Sequence, residues 1–142
     1  MIFNYIGNFT LFFCLLLSSI IFFTSILSLN NKNSFFKRNL NELLFFKFFF
    51  TLLSFFSLLI LFINSEFSNE TVLNNSHISK PLFYKISGTW GNHEGSLLLW
   101  LLILTFCAFF YFLKSKNRPS DERLLTIIFQ ELIIMGFLFF LL

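Results

Sequence analysis

Four apolar runs, each close to the ~20 residues a helix needs to cross a bilayer, decide what this chain can become. They cover residues 9–29, 43–63, 97–113 and 124–142. Lipid offers backbone amides no hydrogen-bond partner, so each run must close its own bonds as a helix, and four segments are too few for a closed barrel. Charged residues make up only 12% of the 142, against about a quarter in a soluble domain, too few to cover the chain in water. The expectation is an all-α, polytopic membrane protein forming a single transmembrane helical domain over 1–142. Its helices fall at about 9–29, 43–63, 90–113 and 124–142, the third run gaining length upstream from Trp90, with an outer loop at 64–96. The first run is long and lacks a basic flank and a small-residue cleavage site, so it reads as a retained helix and not a signal peptide.

Basic residues orient this bundle. Lys32, Lys37, Arg38 and Lys47 stand in or beside the first connection, and Lys114, Lys116, Arg118 and Arg123 flank the third. The longer second connection has only Lys80 and Lys85. Eight against two predicts that the first and third loops face the cytosol or matrix, with the second loop and both termini on the outer side. The net charge of +3 is not gathered into a nucleic-acid patch. Cys14 and Cys107 lie alone in separate apolar runs, which argues against a disulfide or a thiol-redox pair. The 26 phenylalanines against a single alanine, Ala108, are not required by packing and suggest an AT-rich gene of the organellar kind.

Three polar features remain inside or beside the runs. Lys47, a turn into the second run, is expected to snorkel to the inner interface. Pro119, Ser120 and Asp121 read as a turn and N-cap. Glu131 falls in the middle of the fourth run, where a carboxylate is either functional or hydrogen-bonded to another helix. After it the chain ends "FLFFLL" with no polar tail, which suggests partner chains that continue the structure.

The chemistry is concentrated in "SGTWGNHEGSLLLW", residues 87–100. With a helix starting near Trp90, Trp90, Glu94 and Leu97 share one face, while His93, Leu97 and Trp100 share another. Gly91 and Gly95 then form a small-xxx-small pair that admits another backbone. Glu94 gains from the positive helix end, and His93 is biased to the neutral imidazole. The tryptophans suit stacking on a flat apolar ligand as well as plain interfacial anchoring. His93 is open to three readings: axial ligand, proton carrier or structural hydrogen bonder. His77 reads as a solvated loop residue. Upstream, "PLFYKI" is an amphipathic piece suited to the interface, with Tyr84 among headgroups and Lys85 in water. The outer-rim candidates are Trp90, Gly91, His93, Glu94, Gly95 and Trp100; no catalytic residue and no metal site is assigned.

The stretch "PLFYKISGTWGNHEGSLLLWLLIL" at 81–104 closely resembles the CcmF family, the haem lyase subunits of system I cytochrome c maturation, and its WGxHEGSxLLW core is specific. "IGNFTLFFCLLLSS" at 6–19 resembles the family's opening helix, and the outer loop and fourth run resemble the segments around the motif. The resemblance is to the family's N-terminal part. Full-length members carry a WWD motif and flanking haem-handling histidines; neither is present here, and His77 and His93 are not equated with them. A split, mitochondrially encoded CcmF is implied, placed in the mitochondrial inner membrane, or the bacterial inner membrane if the source is prokaryotic. The implied cofactor is haem. The implied partners are the remaining CcmF fragments, CcmH-type subunits, the haem chaperone CcmE and apocytochrome c, with covalent haem attachment to a CxxCH motif as the activity of the whole assembly. The alternative from another class is a small structural subunit of a respiratory or transport complex, which composition alone fits equally well.

Overall fold

The computed structural model describes the backbone of residues 2–30 and 34–142 and the side chains of 2–29 and 39–142. Lys32 lies outside the described residues, as do the side chains of Lys37 and Arg38, so three cations of the orientation argument are not seen. All regular structure in the described residues is helical: α1 (Ile2–Asn30), α2 (Ser34–Asn64), α3 (Glu70–Asn75), α4 (Leu82–Gly88), α5 (His93–Lys114), a short 3-10 turn (Ser115–Asn117) and α6 (Ser120–Leu141). Four of these helices, α1, α2, α5 and α6, are long and apolar enough to cross a membrane.

The helices do not end where hydropathy does. α1 begins seven residues before the predicted 9, running through Asn4 and Asn8, and α2 begins at Ser34 instead of 43. Polar residues at a helix end cost little where they meet water, so the apolar run marks the membrane and not the helix. α6 begins at Ser120, with Pro119 at the N-cap position and no side-chain cap; the Ser120 hydroxyl donates to the Asp121 carboxylate at 3.0 Å instead. α2 closes on Ser65 in the left-handed region (φ 51°), with Ser65 N bonded to Phe62 O and Glu66 N to Leu61 O. That is the reversal helices usually make at glycine.

α1 packs on α2 and α6, and α5 packs on the same two, so the four spans close a ring. The inward residues follow a three-four spacing: Leu11, Cys14, Ser18, Ile21, Ser25 and Ser28 on α1, and Leu40, Leu44, Lys47, Thr51 and Ser54 on α2. This is the seam of a left-handed bundle. Much of it is small or polar, while the bulky phenylalanines, such as Phe9, Phe23, Phe56 and Phe129, face outward. Lipid is as apolar as a core, so sorting by hydrophobicity is weak here and close backbone approach decides what goes inside.

Polar bonds stitch the ring. Thr51 and Thr105 hydroxyls meet at 2.9 Å between α2 and α5, and Gln130 Nε2 donates to Leu104 O at 2.8 Å between α6 and α5. Ser54 donates to Gly7 O at 3.3 Å, and Ser57 donates to Phe3 O, between α2 and α1. Each is worth about 1 kcal/mol. The connection between α2 and α5 is tied down as well. Asn69 caps α3 by accepting from Val72 N at 3.2 Å, and its amide donates to Asn4 of α1 at 2.8 Å. Val72 buries itself against Leu61 and Phe62. The loop thus caps one end of the bundle.

Candidate functional site

Two places concentrate polar chemistry, the turn from α4 into α5 and the interior of the bundle. At the turn the organising residue is Asn92, which the sequence reading did not single out. It sits in extended backbone (φ −117°, ψ 171°) at the N-cap of α5, and its Oδ1 accepts from Gly95 N at 2.7 Å. Its Nδ2 donates to Gly88 O at 2.8 Å and Thr89 O at 3.3 Å. One buried side chain thereby joins the end of α4 to the start of α5. The signal was available, because asparagine three residues before a backbone amide that opens an apolar helix is a preferred N-cap.

This cap corrects the expected helix start. α5 begins at His93, not at Trp90, so Trp90 and Gly91 lie in the turn and not on a helix face. The shared face of Trp90, Glu94 and Leu97 is therefore not formed, nor is the helical Gly91–Gly95 pair. Gly95 does admit a backbone, but from its own chain: a Cβ there would overlap the Thr89 carbonyl oxygen and lie 2.8 Å from its carbon. The buried Thr89 turn is folded directly onto the first turn of α5.

The remaining candidates face outward. Trp90 is 41% exposed and Trp100 58%, and neither indole pairs with another ring among the described residues. Trp100 stands seven residues into α5, roughly 10 Å along the axis from His93. His93 and Glu94 are both exposed on the first turn. As neighbours in sequence they point apart on a helix, so they do not form an acid–base pair. Glu94 also edges a cavity of about 100 Å³ with Asn4, Ser54, Ser57, Asn69 and Thr71. His77 is separate, in the loop before α4, bonded to Ser79 at 3.0 Å. α4 has no buried residue and displays Leu82, Phe83 and Tyr84, while Lys85 is only partly exposed.

The interior site corrects a second expectation. Lys47 does not snorkel: its side chain is 0% exposed and its ammonium pairs with the Glu131 carboxylate, also 0% exposed. The pair crosses the bundle from α2 to α6. Around it, the Cys14 thiol approaches Lys47 O at 3.7 Å, and Thr51 back-bonds to the same carbonyl at 3.0 Å. Glu131 Oε2 has no partner among the described residues. Two opposite charges inside separate apolar runs were visible in the sequence, and burial cost should have paired them.

The chain resembles larger proteins of known assignment. It is 46% identical over 89 residues to the cytochrome c-type biogenesis protein CycK of Rhizobium meliloti, covering 63% of this chain and 13% of that protein. It is 37% identical over 90 residues to the cytochrome c-type biogenesis protein CcmF of Haemophilus influenzae, covering 63% and 14%. Its fold matches a solved cytochrome c haem lyase CcmF with a TM-score of 0.87 at 24% identity, over 94% of this chain and 22% of that one. The likeness is to the N-terminal part of these longer proteins. No protein-family model matches. The chain thus spans roughly an eighth of the length of the curated relatives it matches.

The corner at the α4–α5 turn borders a small cavity. The cavity beside Glu94, about 100 Å³, is well below the ~300 Å³ at which small-ligand pockets begin. His93 stands exposed outside it.

Proposed function

We propose that this chain is the N-terminal subunit of a split, CcmF-type haem lyase, acting in covalent attachment of haem to apocytochrome c. The observation that carries the reading is the agreement of two comparisons: sequence identity of 46% to a cytochrome c-type biogenesis protein and a TM-score of 0.87 to a CcmF haem lyase. In this reading companion chains supply the haem-handling part of the assembly, with CcmH-type subunits, the haem chaperone CcmE and apocytochrome c as partners. The membrane is the mitochondrial inner membrane, and the organelle assignment rests on the Phe-rich, Ala-poor residue usage that an AT-rich gene gives.

The role of the corner follows from its build. Asn92 and Gly95 fix the turn, and the turn presents Trp90, His93 and Glu94 with Trp100 below them. Exposed indoles on and just below a fixed turn are suited to docking a flat apolar surface contributed in trans. The basic flanks of the first and third connections support placing this corner on the outer side of the membrane. The test is purification of the chain from its native membranes, followed by identification of what accompanies it. Co-recovery of CcmF fragments and CcmH-type proteins is the expected result. A lone chain, or one recovered only with respiratory-complex subunits, overturns the proposal.

A further inference from the structure

The end of the bundle opposite the corner carries a groove of its own. It has about 440 Å³ of space and is lined by Phe106, Cys107, Phe110, Tyr111, Lys114 and Arg118, with Ser115 at its base. Phe106 and Phe110 stack obliquely at 4.4 Å between centroids, and Phe48 braces Phe106 at 5.6 Å, so the apolar wall is held from behind. It runs roughly 12 Å along α5 before reaching Lys114.

The polar end is also built. Arg123 of α6 donates from Nε to Ser115 Oγ at 3.0 Å and from its terminal nitrogen to Phe112 O at 2.9 Å, with its guanidinium over the Phe112 ring. Tyr111 and Thr126 hydroxyls meet at 3.2 Å beside it. These contacts pin the 3-10 turn, and with it the spacing of the two cations at the groove mouth. Among the described residues, Lys114 and Arg118 make no ion pair or side-chain hydrogen bond. The nearest acids in sequence, Asp121 and Glu122, do not line the groove. An apolar channel at membrane depth that ends on two unneutralised cations at the interface has the charge and shape of one ligand class.

We propose that this groove holds an anionic phospholipid, its phosphate between Lys114 and Arg118 and one acyl chain against Phe106, Cys107 and Phe110. Each basic residue near the surface contributes about a fivefold preference for anionic over zwitterionic lipid. The wall supplies the apolar burial that a free phosphate lacks.

The experiment places the full chain, in its native assembly, in nanodiscs containing acyl-diazirine phosphatidylglycerol or acyl-diazirine phosphatidylcholine, and maps photo-crosslinks by peptide mass spectrometry. Phosphatidylglycerol should label residues 106–111 in excess, and Lys114→Gln with Arg118→Gln should cut that excess by about fivefold per charge. Lys114→Arg with Arg118→Lys should keep it, which separates charge loss from misfolding. Lys116→Gln, outside the groove, should leave it unchanged. Equal labelling by the two lipids, an equal loss on Lys116→Gln, or release of the lipid by excess inorganic phosphate overturns the proposal. So does protein-to-protein crosslinking at 106–111 with no lipid label, which would mean that a partner helix covers the groove.

Discussion

The buried Lys47–Glu131 pair and the Trp90–Trp100 corner carry similar residue types to opposite ends. The pair is fully buried, its charges meet only each other within the bundle, and it ties two helices across the ring. The corner spends its buried polar atoms, those of Asn92 and Thr89, on its own backbone and leaves its aromatic and titratable groups outside. A polar group inside lipid is needed for folding whatever else it does, because leaving it unpaired is too costly. A polar group held at the surface by a rigid turn is dispensable for folding and is therefore available to a partner. The comparison separates what builds this bundle from what the bundle presents.

The sharpest way to break that separation is to remove one member of the pair. Lys47→Met or Glu131→Leu alone leaves an uncompensated charge in the interior, a loss of about 3–5 kcal/mol. Either variant should fail to accumulate in membranes. The double variant Lys47→Met/Glu131→Leu removes both charges with little change of volume, and should restore accumulation to near the parent level. If the double variant accumulates but the assembly no longer attaches haem, the interior pair has a role beyond folding and the comparison collapses.

Why the pair escaped the sequence reading, while the helices did not, has a physical explanation. Membrane spans announce themselves by length and apolarity, and the four spans here were legible on that ground alone. Which face of each span turns inward was not, because phenylalanines surround the helices while the seam is made of residues such as Ser18, Ser25, Thr51 and Ser54. Lys47 looked free to snorkel because a single run offers no view of its neighbour across the ring. The corner was legible as a chemical cluster but not as a shape. A helix start two residues upstream of the Asn92 cap would have put Trp90 on a face that does not exist.

Within the corner the next largest effect belongs to Gly95→Ala. The added methyl meets the Thr89 carbonyl, so the turn must shift, at a cost of about 1–3 kcal/mol typical of overpacking. Because the strain is local, the spans should still insert. Hydrogen exchange should rise at residues 88–96 while the bundle core stays protected, and on the proposed function haem attachment should fall. Core deprotection equal to that at the turn would show that the corner is part of the folding unit.

Asn92 allows a finer cut. Asn92→Ala removes the cap and both bridging bonds, at about 1–2 kcal/mol. Asn92→Asp keeps the acceptor for Gly95 N but loses the donors to Gly88 O and Thr89 O. It should therefore preserve the start of α5 and loosen only the end of α4. Exchange at residues 86–89 should then rise more than at 95–97. An identical profile for the two variants would mean that the cap alone holds the turn and the bridge to α4 contributes nothing.

The smallest effect on stability is expected where the proposed function predicts the clearest effect on activity. Trp90 and His93 are exposed, and neither makes a side-chain hydrogen bond or a ring pair among the described residues. Replacing such residues usually changes stability by no more than about 0.5 kcal/mol. Trp90→Ala/His93→Ala should accordingly accumulate and unfold like the parent. If the turn exists to dock a companion chain or its haem-bearing substrate, the same variant should lower cytochrome c haem attachment about tenfold, the usual loss for one interfacial aromatic anchor. Wild-type attachment by a normally accumulating double variant would leave the indole and imidazole with no more than an anchoring part at the membrane edge. The function would then have to be sought in the interior pair, which the first experiment tests independently.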